Sequence, residues 1–173
     1  GLEGFDRKVW KIDPVDSSSV RMSLLSPDGD QGYPGNLSFG ILYTITDSNE
    51  LRIEYTATTD APTFCNLTNH SYFNLRGQGD VLDHSLTVYA DQFTEIDDAC
   101  IPTGILGDVS NKPCDFRRGA TLREGIGPTS RDHGYNYCLP GLGEGLELVA
   151  RVTEAESGRT LECYTDQPGL QYY

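Results

Sequence analysis

The sequence predicts an all-β protein, a sandwich or a barrel, and three observations carry that prediction. Apolar and polar residues alternate with period two along several runs, nineteen glycines and nine prolines break those runs at short intervals, and helical periodicity is almost absent. Taken in order, residues 37–45 place apolar side chains two apart, as in a half-buried strand. Residues 50–57 repeat the alternation after Asp47-Ser48-Asn49, a hairpin loop. Residues 85–90 and 146–152 form two more strands. Residues 160–165 form a fifth, reached through the turn Glu156-Ser157-Gly158-Arg159, and Tyr172-Tyr173 close a further strand-like run. One short helical turn is expected near 120–124. No internal repeat, low-complexity tract or linker interrupts the pattern.

Composition narrows the function. A chain of 173 residues with 37% hydrophobic content is long enough for one domain with a real core. Mean hydropathy is −0.42 and no apolar run reaches the length of a membrane span. The net charge of −13 opposes nucleic acid and anionic membrane as partners, whereas a neutral ligand such as a sugar meets no such penalty. The five cysteines, at 65, 100, 114, 138 and 163, form no CxxC pair and no metal-like spacing. They read as free thiols in a reducing compartment, hence a cytoplasmic protein. Three glycosylation-type triplets start at Asn36, Asn66 and Asn69. Two of them fall in the run discussed next and read as chance matches.

That run is Asn66-Leu67-Thr68-Asn69-His70-Ser71-Tyr72-Phe73-Asn74-Leu75, which mixes strand-forming residues with amides and hydroxyls around one histidine. Amides can orient ligand hydroxyls, and an imidazole can pass a proton near neutral pH. A polar cleft is one reading of it; a satisfied, half-buried histidine in a sheet is the other.

Several segments, in order, resemble the aldose 1-epimerase (galactose mutarotase) family. They are Gly1-Leu2-Glu3-Gly4-Phe5-Asp6 with Val9-Trp10; the turn running from Ser26-Pro27-Asp28-Gly29 to Tyr33-Pro34-Gly35; and the His70 run. Ile101-Pro102-Thr103-Gly104 with Cys114-Asp115-Phe116-Arg117, then Asp132-His133-Gly134-Tyr135-Asn136, follow. Ser157-Gly158-Arg159 through Gln167-Pro168-Gly169 complete the series. The resemblance implies a large two-sheet sandwich of mostly antiparallel strands, with residues 1–173 the central part of a single domain. It implies interconversion of the α and β anomers of a free aldohexose, galactose or glucose, with no metal or organic cofactor, because the chemistry needs only proton transfers.

The same resemblance maps the general acid onto His70 and places Ser71 and Tyr72 beside it as substrate contacts. Asp132 becomes the carboxylate that accepts from sugar hydroxyls, and Gln167 a further substrate-contacting amide. It puts the base, a glutamate, beyond Tyr173, and a second histidine and an Asn-Arg pair before Gly1, so residues 1–173 alone are expected to be a poor catalyst. A hexose-phosphate epimerase of the same superfamily and a non-catalytic sugar-binding module remain as alternatives. The first would call for cationic groups that a charge of −13 does not favour. The oligomeric state stays open.

Other residues take plainer roles. His84, at the mouth of a strand, reads as a turn residue, and His133 as an exposed loop residue. Asp132, apart from the resemblance, could equally close a turn before Gly134. Asp91, Glu95, Asp97 and Asp98 lack the ligand spacing of a calcium loop and read as a solvated face. Trp10, beside Val9, reads as core.

Overall fold

The computed structural model describes residues 2–125, 134–141 and 145–173. They form two compact units, Gly1–Ser71 and Tyr72–Tyr173. The first unit is a four-stranded antiparallel meander of β1 (Lys11–Pro14), β2 (Ser19–Ser26), β3 (Leu37–Ile45) and β4 (Leu51–Thr59), hydrogen-bonded in that order. The expected alternation is clearest in β3, where Leu37, Phe39 and Ile41 are buried and Ser38 between them is exposed. A slip of one residue would expose all three, so burial of this face fixes the register of β3 against β2 and β4. Phe39 packs edge-on against Phe5, with ring centroids 4.7 Å apart.

Two expectations for this unit are corrected. Strand β4 forms where its alternation predicted, but it is an edge strand and only Ile53 is partly buried. Alternation reports which face a residue takes; whether that face is covered depends on another element. Trp10 is half-buried in irregular chain rather than in the core. Its indole N–H donates to the Phe5 carbonyl at 2.9 Å, and neighbouring Val9 is 94% exposed.

The second unit contains two four-stranded antiparallel sheets. One has the order β11 (Thr160–Thr165), β10 (Glu147–Thr153), β5 (Ser85–Val88), β8 (Ala120–Thr121). The other has the order β12 (Gly169–Tyr172), β9 (Tyr135–Cys138), β6 (Gln92–Ile96), β7 (Pro102–Asp108). The short helical turn expected near 120–124 is α1 (Leu122–Gly125), directly after β8. Strands β5, β10 and β11 lie within two residues of their expected positions, whereas β6, β7 and β9 were not singled out. Strands β6 and β7 form a hairpin whose register shifts between Thr94 and Ile96, which breaks the alternation, and β9 is four residues long and pairs with β6 and β12, both distant in sequence.

Both sheets feed one core. Leu86 and Val88 of β5 and Val149 and Ala150 of β10 meet Phe93 of β6 and Tyr137 of β9, with Val109, Cys114 and Phe116 supplied by connecting chain. Burying each large side chain contributes about 1.5–3 kcal/mol. Tyr137 is the largest of the fully buried side chains; its hydroxyl donates to the Cys114 carbonyl at 2.8 Å, and burial pushes its pKa well up. Glu154, just after β10, has a side chain with no exposed surface, yet it is ionised. Ser157 N–H donates to its Oε2 at 2.7 Å and Glu156 N–H to its Oε1 at 3.1 Å, while Arg76 Nη2 reaches Oε1 at 3.1 Å. Donors from Ser157 and Glu156, with the Arg76 guanidinium, hold its carboxyl at about 2, below the usual 4.5.

Two expectations follow from this core. Removing the Tyr137 hydroxyl (Tyr137→Phe) leaves the Cys114 carbonyl buried without that donor and costs about 1–3 kcal/mol, read from the urea midpoint at constant m. Because the Glu154 pKa is depressed on folding, its contribution is complete above the unfolded value of 4.5 and is lost as pH falls towards about 2. The stability gap between wild type and Glu154→Gln should therefore be widest at neutral pH and close across that window, as followed by thermal melts at stepped pH.

Candidate functional site

The run around His70 is not a strand. From residue 62 to 74 the backbone is irregular, and His70, Ser71 and Tyr72 are all exposed. Asn and Ser compete with ladder pairing through local side-chain hydrogen bonds, and they do so here. The Ser71 N–H donates to Asn69 Oδ1 at 3.1 Å, and Asn69 Nδ2 donates to the Tyr43 hydroxyl of β3 at 3.4 Å. Asn74 closes the run: its Oδ1 accepts from the N–H groups of Arg76 and Gly77, and its Nδ2 donates to the carbonyls of Gln78 and Gly79. The amides read from sequence as orienting a ligand thus also shape the chain that presents the histidine.

His70 and Ser71 end the first unit, whereas Tyr72 and Gln167 belong to the second. Tyr72, 72% exposed, sets its ring edge-on to Tyr173, with centroids 6.3 Å apart. Tyr173 follows directly on β12, whose Tyr172 pairs with Tyr135 at the start of β9. Immediately before β9, Gly134 approaches so closely that an added Cβ would lie 1.8 Å from the Tyr172 carbonyl oxygen and 3.0 Å from Tyr173 Cα. Asp132 and His133, which precede that glycine, lie outside the described residues. The structure therefore brings Tyr72 to the Tyr135–Tyr172 end of the β9–β12 ribbon.

Gln167 sits at the other end of the same ribbon, in the exposed bend before β12, where Gly169 pairs with Cys138. Its backbone N–H donates to Thr165 Oγ1 at 3.1 Å, and its side-chain amide donates to Asp166 Oδ1 at 2.7 Å. The carbonyl of neighbouring Pro168 accepts from Leu139 N–H at 2.8 Å, which ties the bend to the end of β9.

Sequence reasoning missed Tyr43, because alternation reads it as the next, half-buried position on the Leu37–Phe39–Ile41 face and carries no signal of what its hydroxyl will meet. It also placed His84 only in part. The backbone does turn there, with its N–H donating to Val81 at 3.0 Å, but the ring is 1% exposed and its Nε2 accepts from Leu75 N–H at 3.0 Å. Of the four acidic residues read as a solvated face, Asp98 is exposed and the other three are spent in ion pairs and a turn. Asp91 pairs with Arg117, Glu95 with Lys112, and Asp97 Oδ1 accepts from the N–H groups of Ala99 and Ile101. Among the described residues no group of His, Cys, Asp or Glu could hold a metal ion, and the five cysteines are free thiols. An open cavity of about 280 Å³ lies on the first unit. Its lining includes Asn36 and Asp60, already bonded to each other, and none of the residues singled out above.

Comparisons with known proteins agree with one another. The family model described as aldose 1-epimerase matches residues 1–173. Galactose mutarotase of Rattus norvegicus is 43% identical over 177 residues, covering 100% of this chain and 51% of the relative. Aldose 1-epimerase of Escherichia coli K12 is 38% identical over 179 residues, covering 100% and 52%. Among solved structures, a GalM/aldose epimerase homologue from C. elegans superposes with a TM-score of 0.80 at 32% identity, over 90% of this chain and 48% of that one. Galactose 1-epimerase from Lactobacillus acidophilus gives 0.72 at 26% identity, over 86% and 46%. The chain spans about half the length of the curated relatives it matches.

The close approach of Gly134 generates a comparison between two glycines. Gly134 (φ 65°) and Gly158 (φ 69°) are both left-handed, but only Gly134 has backbone where a Cβ would go. Gly158→Ala should cost about 1–2 kcal/mol from backbone strain alone, and Gly134→Ala distinctly more, in parallel urea titrations. Equal costs would mean that the β9–β12 end is not held as described.

Proposed function

Because the chain belongs to the aldose 1-epimerase family, we propose that the protein it forms part of is a mutarotase, interconverting the α and β anomers of galactose or glucose. The observation that carries this reading is the full-length match of these residues to relatives named galactose mutarotase and aldose 1-epimerase at 38–43% identity. Residues 1–173 form the central part of one family domain in this reading. The substrate is a neutral sugar, which suits a chain of net charge −13, and the free thiols fit a cytoplasmic enzyme.

In the proposed reaction His70 gives a proton to the ring oxygen while a base takes the proton of the anomeric hydroxyl. The bond from the anomeric carbon to the ring oxygen breaks and leaves an open-chain aldehyde. Rotation presents the other carbonyl face, and the reverse proton movements close the ring as the opposite anomer. Concerted acid and base help avoids a free alkoxide and a free oxocarbenium ion, each group contributing about 10²–10⁴-fold. The base is the glutamate that the family resemblance places after Gln167, outside these residues.

Asp132, ionised, accepts from adjacent sugar hydroxyls and fixes the ring's orientation, and Gln167 supplies an amide. Ser71 and Tyr72 contact the sugar from the chain that carries His70. Their exposure on irregular backbone supports that role, since a ligand can reach them without disrupting a ladder.

Polarimetry on freshly dissolved α-D-galactose with the complete natural protein tests the proposal. Wild type should hasten the decay of rotation over buffer, and His70→Asn should lower kcat by about 10²–10⁴-fold while the protein stays folded. Wild type no faster than buffer on galactose or glucose would overturn the mutarotase reading and direct attention to a phosphorylated sugar or a binding-only role.

A further inference from the structure

The stretch that carries His70, Ser71 and Tyr72 has no strand of its own to hold it. It leaves β4 at Thr59 and runs irregularly to Asn74. Besides the Asn69–Tyr43 bond and the Tyr72–Tyr173 contact, its placement depends on what holds its ends, and the downstream end is held at both Leu75 and Arg76. The Leu75 N–H donates to His84 Nε2 at 3.0 Å. The Leu75 carbonyl accepts from Arg159 Nη1 at 2.8 Å and from Ser157 Oγ at 3.4 Å. The next residue, Arg76, is gripped through Nη2 and Nε by Oε1 of the buried Glu154.

These partners come from two places: His84, nine residues on, from the mouth of β5, and Glu154, Ser157 and Arg159, far along the chain, from the turn between β10 and β11. Leu75 and Arg159 are 84 residues apart in sequence. Asn74 already closes the local turn, so the long-range contacts add placement rather than turn formation. His84 also carries a cost. Because Nε2 accepts, the ring proton of the neutral form sits on Nδ1, and that atom is buried without a hydrogen-bond partner. An orphaned buried donor carries a desolvation cost that an apolar side chain of similar size would avoid. A residue kept only to fill space there would not be histidine.

We propose that His84 and Arg159, backed by the Arg76–Glu154 pair, are positioning residues that clamp Leu75 and thereby fix the chain presenting His70 to the sugar. The inference rests on the mutarotase reading and deepens it. None of these side chains touches substrate in this scheme; they act through the backbone. Proton transfer tolerates little misplacement, and an error of about 1 Å can cost about 100-fold. Releasing one side of Leu75 should therefore depress turnover without loss of the fold.

The test uses the complete natural protein and four variants: His84→Leu, His84→Gln, Arg159→Met and Arg159→Lys. Initial rates on α-D-galactose give kcat and KM per folded molecule, with the folded fraction taken from thermal melts. The clamp predicts that His84→Leu and Arg159→Met each lower kcat about 10- to 100-fold, with KM changed by less than about threefold. His84→Gln keeps an acceptor near the Nε2 position, and Arg159→Lys keeps a donor, so both should recover most of the loss. Hydrogen exchange at the Leu75 amide should quicken in His84→Leu and not in Arg159→Met.

Should His84→Leu fail to fold, the exposed Arg159 pair decides the matter. Variants that melt earlier yet retain wild-type kcat per folded molecule would overturn the clamp while leaving the mutarotase reading intact. A wild type without activity would remove both. The two failures are thus told apart by the wild-type trace.

Discussion

The buried carboxylate of Glu154 is the interaction on which the polar margin of the second unit depends. It gathers the N–H groups of Glu156 and Ser157 into the β10–β11 turn and binds Arg76 from the opposite side of the sequence. A buried charge is tolerated only when its hydrogen-bonding capacity is filled, and the three partners here do that. The result is a polar knot at the margin of an apolar core. One side shapes a hairpin, and the other secures the chain that emerges from the His70 run.

The sheets and the connecting chain divide the work by their physics. Strands β5, β6, β9 and β10 send side chains into one core, and that burial holds the second unit together. The residues with proposed chemical roles lie off the ladders: His70, Ser71 and Tyr72 on irregular backbone, and Gln167 in a bend. A ladder spends its backbone groups on its neighbours, whereas a loop held at its ends by side chains can present several polar groups to a ligand. Asn69, Asn74 and His84 supply that holding, so amides and a histidine serve as scaffold beside the groups proposed to meet the sugar.

Charge and family membership point the same way. A strongly acidic surface repels polyanions and is indifferent to a neutral hexose, and the family to which the chain belongs acts by proton transfer alone in the proposed mechanism. The acidic groups seen in the structure are largely committed to local partners. Arg117 collects Asp91 and Asp115, Arg151 pairs with Glu162, and Asp60 grips Asn36. Their pairing gives the surface its turns and cross-strand ties without building a cation site.

By itself the sequence determined what local periodicity and turn chemistry can encode. The all-β class, strands β3, β5, β10 and β11 and the helical turn at α1 were legible, as was the absence of metal-like cysteine spacing. Period-two burial and glycine-bearing turns are written within a few residues. Tertiary structure alone decided which groups meet and which faces are buried. Strand β4 alternates yet all but Ile53 stay exposed, and Trp10 stays half-buried with its indole N–H on the Phe5 carbonyl. The His70 run left the sheet because its amides and hydroxyls bonded locally. His84 proved to be a buried acceptor for the Leu75 N–H nine residues before it rather than a simple turn residue. Each outcome turns on which groups meet, and which faces are buried, once the chain is folded, and period-two alternation does not carry that information.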